Sequence, residues 1–536
     1  MVRRSARLSS ATTTTGQGKK RPSRTTTEDE RESVTDGNSA SKRRRVASAS
    51  RGSSKKPNLH LRLFSSSSST SSHPPCLPPA RLHSPDYHRP LLLSGPSAAE
   101  HRRSLLSWFD SVSAVRAMPW RKPWIDPADD DPLELRPALE VRAYEVWISE
   151  VMLQQTRVAV VVEYWNRWMA RWPTIRDLAR AHPDHVLAAW RGLGYYSRAT
   201  RIHEAAKLVV HDPDMRGLLP SDPALLAARV PGIGRYTAGA ISAIVFGRPE
   251  PMVDGNVLRV LSRQLGLYAN VKTDKAVIDT VWAAADALVK AVARDEASKE
   301  SLSDRPGRWG QALMELGSTV CTPKPDCSSC PITSTCRVYN EADALASGAA
   351  RDPAVDMEDL CLVCMPFEEA MTPREAIADY ARRFPAKVAK KAVRQEETVV
   401  CAIRHPDGSY LIQRRPPKGL LAGLWELPGA AVSKPGSTTA ETRAQLARSH
   451  AATLVTGSGG LVHVGELGSV PWLFSHIKLT MHVHLLVADG RELAGDAQPR
   501  RWSRTVDAES MGTGMRKCWA LVRHAEPGQP HRHDAS

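Results

Sequence analysis

The chain has no apolar run that reaches the roughly 18 residues needed to cross a membrane as a helix. It also lacks the compact apolar core of a secretory signal, so its nine cysteines are expected in a reducing compartment, with a use other than disulfides. Acidic residues are scarce at the start: none occurs in the first 27 residues, and residues 1–70 hold 16 Lys and Arg against 5 Asp and Glu. Most of the net charge of +16 therefore sits there, and the remainder is close to balance. The stretch is rich in Ser, Thr, Arg and Pro and poor in large apolar side chains, so residues 1–95 are expected to form a disordered basic tail. Lys42-Arg43-Arg44-Arg45 and Lys55-Lys56 read as a nuclear localisation signal or a phosphate-binding arm, and the acid-free start reads equally as a mitochondrial presequence. The expected location is the nucleus, with the mitochondrion as a second compartment; no membrane partner is expected.

A length of 536 residues supports two or three domains with a sizeable core. Apolar and small residues recur at helical spacing in Tyr144–Trp168, His182–Trp190, Leu225–Phe246, Val257–Leu267, Ala276–Val292 and Trp309–Val320. Residues 96–340 are therefore predicted to form a mainly helical domain. Residues 341–395, rich in Ala, Pro, Asp and Lys, read as a connector. Strand-like runs at Thr398–Ile403, Tyr410–Ile412 and Met481–Val487 predict an α/β domain over 396–525, and residues 526–536 a short disordered end.

The most informative stretch is 230–257. Val230 and Pro231 end one apolar run, Gly232 and Gly234 allow a very tight turn, and a second run follows from Tyr236. The free amides opening that second helix, beside Arg235, suit a phosphate. Asp254 precedes Gly255, Asn256 and Val257, placed to cap a helix and to project a carboxylate beside the turn. Taken alone, the same residues also describe an ordinary helical hairpin with an ordinary cap.

Cys321, Cys327, Cys330 and Cys336 lie at C-x5-C-x2-C-x5-C spacing. Four thiols so close, outside a disulfide context, point to a metal centre, either a [4Fe–4S] cluster or a structural zinc. No ligand position is left open, so the role is structural or electrostatic. Glu150 shares a helix face with Val146, Trp147 and Leu153. Loss of hydration there raises a carboxyl pKa and suits a general acid, although a buried structural Glu fits the same pattern.

Together the turn at Val230–Arg235, Asp254, the cysteine cluster and Val151-Met152-Leu153-Gln154-Gln155-Thr156 resemble the helix-hairpin-helix DNA glycosylases. Gly192-Leu193-Gly194-Tyr195-Tyr196-Ser197-Arg198 and Met314-Glu315-Leu316-Gly317 narrow the resemblance to adenine DNA glycosylases, the MutY family. That resemblance implies a monofunctional enzyme that removes adenine mispaired with 8-oxoguanine or guanine in double-stranded DNA, in base excision repair. Related lyases carry a lysine where this chain has Tyr236, and a phenol cannot form their imine. The family implies Glu150 as proton donor, Asp254 as the anion facing the sugar cation, and Tyr236 and Asn256 as their support. Arg121 and Glu315 would line the adenine pocket. Gln154 and Tyr195 would wedge the stack, and Gly232, Gly234 and Arg235 would hold the backbone. It also implies that the cysteines hold a [4Fe–4S] cluster, although this chain has five residues in the first gap where the family has six.

The second domain resembles a Nudix fold through Gly423-Leu424-Trp425-Glu426-Leu427-Pro428-Gly429. No Arg-Glu-x-x-Glu-Glu helix follows to hold a metal, so hydrolysis by this domain is not expected. The family uses the domain to recognise 8-oxoguanine, and Phe474, Ser475 and His476 match that loop. Cys361 and Cys364 form a second CxxC, for which the family implies a connector zinc with a distant histidine such as His88. The connector would also meet repair and replication proteins, with the enzyme itself a monomer. Two other readings stay open: an endonuclease-III-like glycosylase that also cuts the backbone, and an inactive DNA lesion sensor.

Overall fold

The computed structural model describes residues 63–64, 74–78, 80–128, 131–295, 302–348, 357–367, 377–388, 393–417, 419–433, 435–456, 460–474, 476–490, 492–494 and 499–525. The basic motifs at 42–45 and 55–56, Ser475, and the end at 526–536 lie outside the described residues.

The helical domain runs α1 (Ala98–Arg116), α2 (Pro132–Leu153), α3 (Val158–Arg171), α4 (Ile175–Arg180), α5 (Pro183–Ala189), α6 (Ser197–His211), α7 (Pro223–Arg229), α8 (Arg235–Phe246), α9 (Gly255–Gln264), α10 (Lys275–Arg294), α11 (Arg305–Thr319) and α12 (Arg337–Ala346). The stretch of helical spacing over Tyr144–Trp168 forms two helices, α2 and α3. Gln155 adopts φ 59° between them, a left-handed conformation that no α-helix contains. Its apolar periodicity survives because both segments bury into the same cluster.

That first cluster is built around Trp147, Trp168 and Trp190 on α2, α3 and the end of α5. Trp168 meets Trp172 and Trp190 edge-on, at centroid distances of 4.8 and 5.5 Å; such pairs add about 0.5–1.5 kcal/mol each beyond the area they bury. A second cluster joins α1, α9, α10 and α11 through Leu105, Leu261, Leu288 and Trp309. The domain thus has two lobes, and α8 passes between them: Ile241 packs in the first and Tyr236 against the second.

The expected tail over 1–95 needs correction at its end, because residues 74–78 and 80–95 are ordered and packed. Cys76, Tyr87, His88 and Leu92 are buried, two short 3-10 turns span Pro85–His88 and Leu91–Leu93, and Leu63 joins the second core cluster. The main anchor is Glu341 on α12, which has no exposed surface. It accepts from the Tyr87 hydroxyl (2.6 Å), from Arg81 (2.8 Å) and from the Cys76 thiol (3.3 Å). The Tyr380 hydroxyl, from α13 (Ile377–Ala381) in the connector, donates to its other oxygen at 2.6 Å. A buried carboxylate is tolerable only when paired and fully hydrogen-bonded, so these polar residues fix the arm where few apolar ones exist. Part of the connector is packed as well: Phe367, Tyr380 and Phe384 form an aromatic cluster with Tyr268.

The second domain is a mixed sheet in the order β3 (Trp425–Glu426), β2 (Tyr410–Arg414), β1 (Arg394–Arg404), β7 (Ile477–Ala488) and β6 (Leu461–Leu473). β4 (Gly429–Ala431) adds to β1, and β9 (Arg500–Ser503) to β2. β5 (Val455–Thr456) and β8 (Glu492–Leu493) make a small separate pair. Strand β1 runs parallel to β7 from Arg394↔Ile477 to Arg404↔Val487. α14 (Ala440–Ala452) covers one face and α15 (Thr513–His524) the other, each over its own apolar cluster. No helix among the described residues is long and apolar enough to cross a membrane.

Candidate active site and nucleic-acid interface

A cavity of about 870 Å³ opens between the two helical lobes. Its wall carries Glu150 from α2, Tyr236 from α8, Asp254 and Asn256 from the start of α9, and Met314 and Glu315 from α11. Arg121, Gln154 and Arg116 complete it. The residues that the sequence assigned to catalysis, to the adenine pocket and to the wedge therefore converge on one space, with Tyr195 as the exception.

Glu150 is 5% exposed, and the Tyr236 hydroxyl donates to its Oε2 at 2.6 Å. Burial pushes the Glu150 pKa up to about 7; the Tyr236 bond and Arg121 oppose the shift, while Asp254 adds to it. The Tyr236 hydroxyl also lies 3.0 Å from the Met314 sulfur. Burial, then the charge of Glu150, pushes Tyr236 well above the usual phenol range, so it remains a donor.

Asp254 is the N-cap of α9. Its Oδ1 accepts from the backbone N–H of Asn256 (2.9 Å) and Val257 (2.8 Å), and its Oδ2 from the Asn256 side chain (2.8 Å). Three donors at the positive end of a helix fix this carboxylate in place without consuming the face it turns to the cavity. Asn256 is oriented in turn by Arg259, which donates to its Oδ1 at 2.9 Å and to Gly317 O at 2.6 Å. Glu315 is 2% exposed and bridges two guanidinium groups, Arg121 at 2.7 Å and Arg116 at 3.2 Å. Sequence reasoning missed Arg116, whose only local signal is its place two residues before Met118 and the Trp120-Arg121 pair.

The hairpin turn has Gly232 at φ 84°, and a Cβ there would press on the Arg201 side chain at 3.1 Å. Gly234 caps α8 with extended backbone and open space around it. Arg235 is exposed, and its guanidinium lies on the Trp282 ring of α10 at 3.8 Å from the centroid, with Asp279 and Asp286 drawing it electrostatically. Tyr195, at φ 47°, is 51% exposed.

The matches to known proteins fall on these elements. The family model for HhH-GPD superfamily base excision DNA repair proteins matches residues 148–285, and a NUDIX domain model matches 399–521. The adenine DNA glycosylase of Homo sapiens is 38% identical over 445 residues, 80% of this chain and 74% of that protein. The adenine DNA glycosylase of Schizosaccharomyces pombe is 35% identical over 400 residues, 72% of this chain and 81% of that protein. The chain belongs to the adenine DNA glycosylases. It is a DNA N-glycosylase of base excision repair, with a helix-hairpin-helix domain followed by a Nudix-like one.

Two sulfur sites flank the glycosylase's second lobe. Cys321, Cys327, Cys330 and Cys336 line one small apolar cavity with Val260, Leu316 and Ala381. In the first gap, Asp326 N–H bonds Val320 O at 3.0 Å and closes a turn. Arg263 donates to the Cys321 sulfur at 3.2 Å. Burial pushes Cys330 up to about 12 and raises Cys327 and Cys336, so ligation there must displace protons. Among the described residues, the one group tight enough to share a single ion is a different one. His83, His88, Cys361 and Cys364 bring their ligand atoms within 4.8 Å of one another. His88 Nδ1 is paired with Leu265 O at 2.9 Å and His83 Nδ1 with Arg81 O at 2.6 Å, which turns both Nε2 atoms toward the sulfurs. Cys361 and Cys364 lie 3.3 and 3.4 Å from His88 Nε2. Sequence reasoning found three of these four; His83, five residues before His88, lay in the presumed tail.

In the Nudix-like domain, α14 carries Leu446, Ser449 and His450 on its second half and one carboxylate, Glu441, on its first turn. A metal-binding glutamate set is therefore not present on it. Phe474 N–H donates to Ile477 O at 2.8 Å, and His476 O accepts from Arg394, so the described ends of this loop are tied to the start of β1 and β7.

Proposed function

We propose that this enzyme hydrolyses the N-glycosidic bond of adenine opposite 8-oxoguanine, and opposite guanine, without cutting the DNA backbone. The pairing of Glu150 and Asp254 across one cavity carries the reading. An adenine that leaves the duplex to enter that cavity meets a carboxyl group able to hold a proton near neutral pH. Glu150 protonates the base ring; the C–N bond breaks with oxocarbenium character; the Asp254 carboxylate stabilises the sugar cation. Water completes hydrolysis, with Glu150 taking the proton back. Tyr236 positions Glu150, Asn256 positions Asp254, and Arg121 with Glu315 contacts the adenine. Tyr236 has no amine, which supports a monofunctional enzyme.

Gln154 and Tyr195 part the stacked strands, and the backbone of Gly232 and Gly234 holds a phosphate. Phe474, Ser475 and His476 read the damaged base; their position in a Nudix-like domain without a glutamate metal set supports recognition over hydrolysis. Cys321, Cys327, Cys330 and Cys336 hold a [4Fe–4S] cluster, which supplies a rigid anchor and a local field. His83, His88, Cys361 and Cys364 hold a zinc ion, which supplies a cross-link between the arm and the connector. The basic tail sends the enzyme to the nucleus and its acid-free start to the mitochondrion.

One oligonucleotide series tests the reading. Adenine should be released opposite 8-oxoguanine and guanine, with strand breaks only after alkali, while a thymine-glycol duplex stays intact. Asp254→Asn should abolish release yet keep duplex binding. Breaks without alkali, or an unchanged rate in Asp254→Asn, would reject it.

A further inference from the structure

Arg198 stands in the first turn of α6, and its guanidinium ties together two turns about forty residues apart in the chain. Nη1 donates to Val151 O at 2.7 Å and to Gln154 O at 2.8 Å, with Met152 O at 3.4 Å. Nη2 donates to Leu193 O and Gly194 O, both at 3.1 Å. The first set closes the end of α2; the second belongs to the turn that carries Tyr195. A planar guanidinium with several N–H groups in fixed directions can hold both turns in one geometry, which an ammonium cannot do as well. Arg198 is 8% exposed, and its charged plane lies 5.2 Å from the Trp190 ring and 5.6 Å from that of Tyr195.

Each of the two turns also holds a non-glycine residue in the left-handed region: Gln155 at φ 59° and Tyr195 at φ 47°. Such a conformation costs about 1–3 kcal/mol and persists only where the surroundings impose it. The Nudix-like domain grips the second turn from another side. Leu424 is fully buried in the cluster that contains Trp190, Leu193 and Tyr196, and Arg191 donates to Glu509 O at 3.4 Å.

We propose that Arg198 is a positioning residue that locks these two turns into one rigid wedge, so that Gln154 and Tyr195 enter the base stack in fixed relation. The inference rests on the reading of Gln154 and Tyr195 as the strand-parting residues. Arg198 does not line the adenine cavity, so it acts on the extrusion of the base and leaves the chemistry at Glu150 alone.

The test uses the full-length protein and single-turnover adenine release on two duplexes: adenine paired with 8-oxoguanine, and adenine opposite an abasic-site analogue, where little pairing opposes extrusion. Arg198→Lys should lose on the order of 100-fold on the paired adenine, the scale of an ångström-level misplacement. Duplex affinity, set mainly by phosphate contacts, should hold, and most of the lost rate should return opposite the abasic analogue. Gly194→Ala supplies a variant that keeps the buried guanidinium. Gly194 sits at φ 73° with nothing within 4 Å of an added Cβ, so only the backbone of the turn is disturbed. It should show the same split between substrates. Equal losses on both duplexes would make Arg198 a folding residue only and overturn the proposal. A Gln154→Ala, Tyr195→Ala double variant separates the two levels. If it loses paired-adenine release while Arg198→Lys and Gly194→Ala do not, the lock alone is wrong. If it loses nothing, the strand-parting reading fails and the lock with it.

Discussion

The Tyr236 hydroxyl donates to Glu150 at 2.6 Å, joining the residue where a related lyase would keep its lysine to the carboxyl group that burial holds near neutrality. The bond favours the charged form of Glu150, against a burial effect that is larger. On the proposed mechanism, adenine release needs the protonated form. In the parent enzyme the single-turnover rate should therefore be full at low pH and decline as pH rises through about 7. Tyr236→Phe removes an interaction that lowers the pKa, so its declining limb should move to higher pH even if the maximal rate drops. A limb that moves to lower pH contradicts this arrangement.

The same carboxyl group burdens the fold. Its pKa is raised from 4.5 to about 7 on folding. Its stability contribution is therefore complete below 4.5 and is lost as pH rises through about 7. Each tenfold change in proton affinity between the unfolded and folded chain is worth about 1.4 kcal/mol. Glu150→Gln should accordingly stabilise the protein by up to about 3 kcal/mol at pH 8 and by little at pH 4.5. Thermal melts of the two proteins at both pH values measure this. A variant that melts lower than the parent at pH 8 would show that the carboxylate is better satisfied than its burial indicates.

Gly317 on α11 leaves no room beside Asn256. A Cβ there would lie 2.7 Å from Asn256 Cβ and 3.0 Å from Asn256 O. Gly317→Ala should cost about 1–3 kcal/mol of stability, as overpacking does. It should also slow adenine release without altering the pH of the declining limb, because it displaces the support of Asp254 and not Glu150. Release at the parental rate would show that α9 shifts without consequence.

The His83, His88, Cys361 and Cys364 group predicts one equivalent of zinc that is independent of iron. Elemental analysis of the Cys361→Ser, Cys364→Ser double variant, and of His83→Ala, should find that equivalent missing with iron content unchanged. A chelator should lower the melting temperature of the parent and not of the variants. Equal zinc in parent and double variant would dispose of the site.

What was legible in the sequence was what neighbouring residues determine. The Gly232–Gly234 turn and the Asp254 cap depend on residues within three positions of each other, and Glu150 was found because its apolar neighbours recur at helical spacing. The break at Gln155 was not legible: Gln154, Gln155 and Thr156 include no Gly or Pro, and the carbonyls they free are held by Arg198 on another helix. The ordered arm escaped for a related reason. Composition registers how much apolar surface a segment carries, and the arm is held chiefly by a phenol, a guanidinium and a thiol meeting one distant carboxylate. The stacking of Arg235 on Trp282 of α10 was not legible either, because nothing local to the hairpin announces that ring.

Glu341 and Tyr87 are 254 positions apart. Synthesis therefore delivers the phenol long before the acid it serves, and the leading segment waits unpaired while two lobes assemble. An mRNA variant whose translation begins after Tyr87 would yield a polypeptide with every residue that lines the cavity and a buried anion left with the Tyr380 phenol but without Tyr87, Arg81 and Cys76. Such a product is a substrate for cellular quality control, and its carrier would lose repair capacity with no lesion in any residue that touches DNA.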